Sequence, residues 1–264
     1  MKKLLGFILI LSAVAVLAAC GSSNSDNDVV LISSLSDLDT ARIGAQVATT
    51  GQIYVEENLP EATLDLFLQG ADAVMALLSG QVDAVIIDAL PAYRFVAANE
   101  ERLMLLDGDL TSEYYGIALQ IGSPYTALFD EALNTLRANG TWDAIFDYWV
   151  NENPGASRYV SPDGITHPNG TLYMATNAGF EPFEFWEGDQ IVGFDPCLAR
   201  AIGDVLGYEI EIVDMNFDSI ILSVQAGQSD FGMAGMTIRD DRLEFVDFTQ
   251  GYFNASQRVI VRIP

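Results

Sequence analysis

Arg242 follows Thr237 by five residues, inside the stretch Ala234-Gly235-Met236-Thr237-Ile238-Arg239-Asp240-Asp241-Arg242. The apolar run Phe231 to Met236 reads as a buried strand. Such strands deliver loop residues at their carboxyl ends, where open α/β sheets bind ligands. A guanidinium there, beside a hydroxyl and free backbone N–H groups, matches the two oxygens of a carboxylate. The plainer alternative is a surface arginine paired with Asp241 or Glu244. A group of opposite charge occupies a comparable place: Asp88 ends the β-branched run Val82 to Ile87. Thr49-Thr50-Gly51 opens a helical stretch, where hydroxyls and N–H groups suit an anion. The same residues also serve as an ordinary helix cap.

Other chemistries find little material. His167, the one histidine, lies in a polar stretch rich in Pro, Gly and Asn, so no Ser-His-Asp set is available. There is no HExxH, no phosphate-binding loop and no cysteine–histidine pair. The expectation is no enzyme, no catalytic residue, no metal and no cofactor.

The chain has 264 residues, 50% of them hydrophobic and 19% charged, enough for two medium α/β lobes. The net charge is -25. That charge argues against nucleic acid and anionic lipid headgroups as partners. Residues 1–19 have a basic start and a short apolar run, Leu4 to Ala19, too short to span a bilayer. The run ends Leu17-Ala18-Ala19-Cys20-Gly21, which resembles a bacterial lipoprotein signal. The resemblance implies cleavage before Cys20, lipidation of its sulfur, and a membrane contact made through acyl chains only. Residues 20–28 then read as a lipidated cysteine and polar tether. Cys197 is left without a partner and reads as a small buried hydrophobe on a helix.

The elements that would position the candidate residues follow in order. Ala41 to Gln46, Val82 to Ile87, Leu103 to Leu106, Tyr114 to Leu119, Leu172 to Thr176, Tyr208 to Val213, Phe231 to Met236 and Gln257 to Val261 read as strands. Helices are expected near 71–78, from Pro91, over two segments between Tyr125 and Val150, and over 195–206 and 217–225. The aromatic residues between Trp142 and Trp149 read as core. Met75-Ala76-Leu77-Leu78-Ser79-Gly80-Gln81-Val82-Asp83 parallels Leu222-Ser223-Val224-Gln225-Ala226-Gly227-Gln228-Ser229-Asp230. Carried forward, Asp88 and Gly235 fall at equivalent strand ends. Two lobes of similar build facing across a cleft would explain this, with hinge closure as their motion.

The segments Gly170 to Phe185, Gly193-Phe194-Asp195 and Ala234 to Tyr252 resemble the first lobe of the bacterial family 3 extracellular solute-binding proteins. Ala41 to Gly51, Gly80 to Pro91 and Tyr115 to Trp149 resemble that family's later segments. The resemblance implies a type II, two-lobed periplasmic-binding-protein-like α/β fold in circularly permuted order. Residues 29–112 would form lobe 2, completed by a C-terminal strand in 257–264. Residues 113–256 would form lobe 1, with 151–170 joining the family's usual ends. The crossings between lobes would lie near Glu113 to Tyr115 and Tyr252 to Ala255. A rival reading takes the chain as the tail of one receptor and the head of the next.

The same resemblance implies a polar amino acid as ligand and an ABC importer permease as partner. It also implies a monomer lipid-anchored outside the cytoplasmic membrane. Carried over residue by residue, Arg242 with Thr237, Thr49 and Thr50 would take the α-carboxylate. Asp88 and the Gly235 carbonyl would take the α-amino group, and Phe180 and Phe217 would sandwich the side chain. Asn177 stands where several relatives carry an acid that reads the side chain. Gln46 stands where some carry lysine or an apolar residue. With Asn177 uncharged, a glutamine-like ligand is favoured and a basic one stays open. A dehydratase-like relative would need a base near the aromatics, for which Glu181 is the acid to check. A sensory domain is the remaining alternative.

Overall fold

The structure is a computed structural model that describes residues 31–264. The signal-like segment, Cys20 and the tether lie outside the described residues. Two five-stranded sheets organise the chain. The second lobe's sheet contains β1 (Arg42–Gln46), β2 (Thr63–Phe67), β3 (Ala84–Asp88), β4 (Leu103–Leu105) and, from the far end of the sequence, β14 (Gln257–Arg262). Its order is β2-β1-β3-β14-β4. β2, β1 and β3 run parallel, and β14 runs antiparallel to both β3 and β4.

The first lobe's sheet repeats this plan with β6 (Ala118–Leu119), β7 (Thr171–Thr176), β10 (Glu209–Asp214), β11 (Phe231–Gly232) and β12 (Asp247–Phe248). The order is β10-β7-β11-β6-β12, with β10, β7 and β11 parallel and β6 antiparallel to its two neighbours. The fold is therefore a two-lobed α/β architecture. A ribbon of β5 (Glu113–Tyr115) and β13 (Phe253–Ala255) lies at the crossings, paired antiparallel.

The strands are apolar on both faces because helices cover both. In the second lobe Ala84, Ile86, Val259 and Val261 pack with Val55 of α1 (Thr50–Asn58). Val85, Ile87 and Ile260 face the other way, onto α2 (Gly70–Ser79) and α3 (Ala89–Ala97). Period-two alternation sends successive side chains to opposite faces, so a run buried on both sides must be continuously apolar. In the first lobe Leu172 and Met174 join the aromatic core beneath α4 (Tyr125–Ala138), α5 (Thr141–Trp149) and α6 (Phe194–Leu206). Ala175 faces Ile220 and Val224 of α7 (Phe217–Gln225). Cys197 is buried on α6 and accepts a hydrogen bond from Trp149 Nε1 at 3.2 Å.

Two strands differ from their sequence reading. Tyr114 to Leu119 is not one strand: β5 stops at Tyr115 and β6 starts at Ala118, in different sheets. Between them the Gly116 and Ile117 N–H groups go to Met236 O and Thr249 Oγ1, outside either ladder. Phe231 to Met236 is strand only over its first two residues. Beyond Gly232 the chain turns into a buried loop, with Gly235 at φ +52°. A hairpin of β8 (Phe185–Glu187) and β9 (Gln190–Val192) completes the strands; α8 (Asp240–Leu243) carries Arg242. Residues 151–170 contain no helix or strand. His167 within them is not idle, since its Nε2 pairs with Asp204 at 2.9 Å.

Candidate ligand-binding cleft

The carboxyl ends of β1 and β3 meet those of β7 and β11 across one narrow cleft. Gln46, Thr49, Thr50 and Asp88 line it from the second lobe. Asn177, Phe180, Glu184, Phe217, Ala234, Gly235, Thr237 and Arg242 line it from the first. All ten residues singled out in the sequence are thus brought to one place, and Ala234 and Glu184 join them.

Arg242 is 6% exposed. Its Nη1 donates to Thr237 O at 2.8 Å and its Nη2 to Ala48 O of the other lobe at 2.9 Å. The guanidinium lies over the Phe217 ring, 5.4 Å from its centroid. Among the described residues no carboxylate forms an ion pair with it: Asp241 pairs with Arg239 instead. Burial lowers its pKa to about 10, so it remains charged at neutral pH. Ala48 reaches it from a left-handed backbone, φ +62°, uncommon for a residue with a side chain.

Asp88 is buried at the end of β3 and accepts the Tyr115 hydroxyl at 2.5 Å. Burial, reinforced by Glu113, pushes its carboxyl up to about 7. Glu113 is buried on the crossing ribbon and takes the Thr237 hydroxyl at 2.5 Å. The Thr237 hydroxyl thus spends its proton on Glu113 in this structure. Thr49 is occupied too. Its hydroxyl donates to Gln46 O at 2.7 Å and accepts the Gln52 N–H at 3.4 Å, the ordinary capping role. Thr50 is buried and its hydroxyl makes no hydrogen bond among the described residues.

Gln46 and Asn177 bond to each other across the cleft, Nε2 to Oδ1 at 2.8 Å. Gln46 Nε2 also donates to Leu68 O at 3.0 Å, and Asn177 Nδ2 to Met215 O at 2.8 Å. Both amino groups and the Asn177 oxygen are therefore committed to protein partners. Gly235 donates its N–H to Asp195 Oδ2 at 2.9 Å. A Cβ there would lie 2.5 Å from Phe180 Cε1, so a side chain would push the aromatic wall aside.

Glu181 does not face the cavity. It is half exposed and pairs with Arg94 at 3.7 Å. The acid that does line the cavity is Glu184, 1% exposed, with Asp195 behind it. Burial pushes Glu184 well above the usual carboxylate range, and Asp195 adds to the shift. Neither acid stood out from the sequence as a site residue. The one available signal was a charge set between Phe183 and Phe185. Four carboxyl groups thus line or back the cavity, against one guanidinium. Among the described residues no cluster of His, Cys, Asp and Glu is arranged to hold a metal ion, and no helix is long and apolar enough to cross a membrane.

Residues 172–263 match the family model of bacterial extracellular solute-binding proteins, family 3. The arginine-binding extracellular protein ArtP of Bacillus subtilis is 44% identical over 89 residues, 34% of this chain and 35% of ArtP. The arginine-binding protein ArgT of Corynebacterium glutamicum is 39% identical over 116 residues, 40% of this chain and 38% of ArgT. Further relatives carry names with histidine or glutamine in place of arginine. The solved structure of an ancestral arginine-binding protein bound to arginine shares 46% identity over 32% of this chain and 38% of that one, with a TM-score of 0.31. The chain spans about a third of the length of the curated relatives it matches. Over that segment it is homologous to amino-acid-binding proteins. The relatives named here are solute-binding proteins, not enzymes.

Proposed function

We propose that this protein is a receptor that binds a free amino acid between its two lobes and presents it to an ABC importer outside the cytoplasmic membrane. One observation carries the reading. Arg242 is buried without a carboxylate partner among the described residues, and it lines the same cleft as the buried Asp88 of the other lobe. An uncompensated buried charge is costly, so both ends favour a guest that brings the missing charges. An α-amino acid does so: its carboxylate fits the Arg242 fork and its ammonium fits Asp88. Because the two groups stand on opposite lobes, the guest ties the lobes together. Phe180 and Phe217 offer the aromatic walls.

Among amino acids a basic side chain suits the cavity better than a neutral one. Asn177 is bonded at both ends, whereas Glu184 offers a carboxyl group at the wall. The permuted chain order is part of this proposal. β14 lying between β3 and β4 supports a single complete fold over two receptor fragments. Lipidation at Cys20 and anchoring through acyl chains belong to the same reading.

Thermal unfolding against a panel of amino acids at millimolar concentration tests it. A ligand at about 1,000 times its dissociation constant adds about 4 kcal/mol, which for a chain of this size raises the midpoint by roughly 8–16 °C. A single transition that no amino acid moves would overturn the receptor reading.

A further inference from the structure

Glu184 and Asp195 form a buried carboxyl pair that the sequence did not advertise. Glu184 is 1% exposed and lines the cavity, and Asp195 is fully buried behind it on α6. The donors near the pair are few and all go to one oxygen. Asp195 Oδ2 accepts the Gly235 N–H at 2.9 Å and the Tyr252 hydroxyl at 2.8 Å. Asp195 Oδ1 and Glu184 Oε2 have no donor among the described residues, yet both are buried. Each carboxyl perturbs the other's titration, so the two side chains are near neighbours. A buried acceptor oxygen without a donor is costly, and a proton held by one of two neighbouring carboxyls supplies a donor to the other.

We propose that Glu184 and Asp195 share one proton in the empty cleft, and that a cationic ligand side chain displaces it to solvent and takes its place against Glu184. The cleft then exchanges a proton for a cation, and this exchange selects basic amino acids over neutral ones. The inference rests on the amino-acid receptor reading and adds to it the means by which a basic side chain is preferred.

The surroundings of the pair decide where the proton sits. Asp195 keeps its charge because two donors point at it, which partly offsets burial and leaves it at about 6. Glu184 has no such donors. It faces Asp195 on α6, Asp88 at the end of β3 and Asp214 at the end of β10, with the neutral phenol of Tyr252 close by. The proton therefore belongs to Glu184, which donates to Asp195. Arg242 is the one basic residue lining the cavity, and its Nη groups are turned to Thr237 O and Ala48 O. No cation of the cavity wall neutralises Glu184, so the guest must supply it. A neutral guest leaves the proton in place.

Calorimetry of the protein with L-arginine and with L-glutamine, in phosphate and in Tris from pH 6 to 8, counts the protons released. Asp88 releases its proton to solvent when either ligand's ammonium docks against it, so the difference between the two ligands isolates Glu184. Arginine is expected to release about one proton more than glutamine. The arginine-to-glutamine affinity ratio should then rise up to tenfold per pH unit while Glu184 remains protonated in the free protein. In Glu184→Gln the amide donates to Asp195 as the proton did. The excess proton should vanish, and the affinity ratio should fall at least tenfold and become independent of pH. Equal proton counts for the two ligands in the natural protein would overturn the exchange while leaving the receptor reading intact. So would a pH-dependent arginine preference surviving in Glu184→Gln. Binding of neither amino acid, nor of any other in the panel, would instead sink the receptor reading and this inference with it. The count in the natural protein stands by itself should the variant fold poorly.

Discussion

The two lobes contain the same local device, built from nearly the same residues and used differently. In the second lobe α2 ends at Gly80, φ +80°; in the first α7 ends just before Gly227, φ +65°. Only glycine adopts these turns at no steric cost. The Gln81 N–H closes on Ala76 O at 2.9 Å and the Gln228 N–H on Ser223 O at 3.0 Å. Then an aspartate clips the neighbouring strand. Asp83 bonds the backbone of Arg42 on β1 through both its N–H and its carboxylate, and Asp230 does the same to Tyr173 on β7. Five residues later the copies diverge. The second lobe delivers Asp88, a buried carboxyl, and the first delivers Gly235, a backbone turned toward Asp195. The shared part builds sheets, and the part that differs faces the cavity. Each sheet also takes its antiparallel strand from a crossing segment: β6 after the crossing strand β5, and β14 after the crossing strand β13.

The largest expected effect breaks that equivalence. Removing Gln257–Pro264 takes β14 from between β3 and β4 and deletes Val259, Ile260 and Val261, all fully buried. Each such side chain contributes roughly 1.5–3 kcal/mol, so the loss is comparable to a typical domain's whole stability of about 5–15 kcal/mol. The second lobe should lose cooperative unfolding by circular dichroism. An unchanged midpoint in the shortened chain would mean that β14 is dispensable. Next comes the pair of charges that the two lobes contribute to the cleft. Arg242→Ala and Asp88→Ala should each weaken amino-acid binding by about 3–5 kcal/mol, the cost of stranding a buried partner. Titration calorimetry reads this directly, and near-normal affinity in either variant would remove that residue from the site.

The aspartate clips sharpen the comparison at smaller scale. Asp83 is buried and holds Arg42 at 2.7 Å and Arg262 of β14 at 3.4 Å, whereas Asp230 has a half-buried side chain and pairs with no cation among the described residues. Asp83→Asn should therefore cost about 3 kcal/mol, the loss of one partner of a buried pair. Asp230→Asn should cost about 1 kcal/mol, since the amide oxygen can still accept the Tyr173 N–H and only the charge assistance is lost. Urea unfolding of the two variants compares them, and equal costs would show that the ion pairs add nothing. Arg42 holds the Asp83 carboxyl below its ordinary value against the effect of burial. Its stabilisation is present above the unfolded carboxylate range and is lost as the pH falls through the depressed value.

These contrasts also show what was legible in the sequence. The Gly-Gln-x-Asp repeat, the doubly apolar strands and the strand-end position of Asp88 were readable. Each is a local pattern with one physical cause. The hairpin of β8 and β9 left a readable trace in Gly188-Asp189, a two-residue turn that was not used. The states of the hydroxyls were not readable. Whether Thr237 donates to a ligand or to Glu113 depends on a residue 124 positions away. The Glu184–Asp195 pair was hidden for the same reason. Glu181 and Glu184 are alike in composition and context, and only the tertiary fold turns one to solvent and the other into the cavity. Long-range polar partners carry no sequence period, so they are the last part of a site to be read from the chain.

The smallest effect follows from Asp88 itself, and its sign is opposite to that of Asp83. Burial and Glu113 raise the Asp88 carboxyl from 3.8 to about 7 in the folded protein. The folded state therefore binds the proton more tightly than the unfolded chain does. Its contribution to stability is complete below about pH 4 and is lost as the pH rises through about 7. Between pH 5 and 6 the ligand-free protein should lose about 1 kcal/mol from this group alone, since one pH unit is worth 1.36 kcal/mol when a single proton is linked. Asp88→Asn should remove that slope, because the amide cannot ionise and can still accept the Tyr115 hydroxyl. Saturating amino acid should remove it too: an ammonium against Asp88 brings the bound-state pKa back down. Thermal midpoints of both proteins at pH 5, 6 and 7, with and without ligand, separate the cases. If the natural protein and Asp88→Asn show the same slope without ligand, Asp88 is ionised in the empty cleft, and the charge that Arg242 lacks is partly supplied from across the cavity.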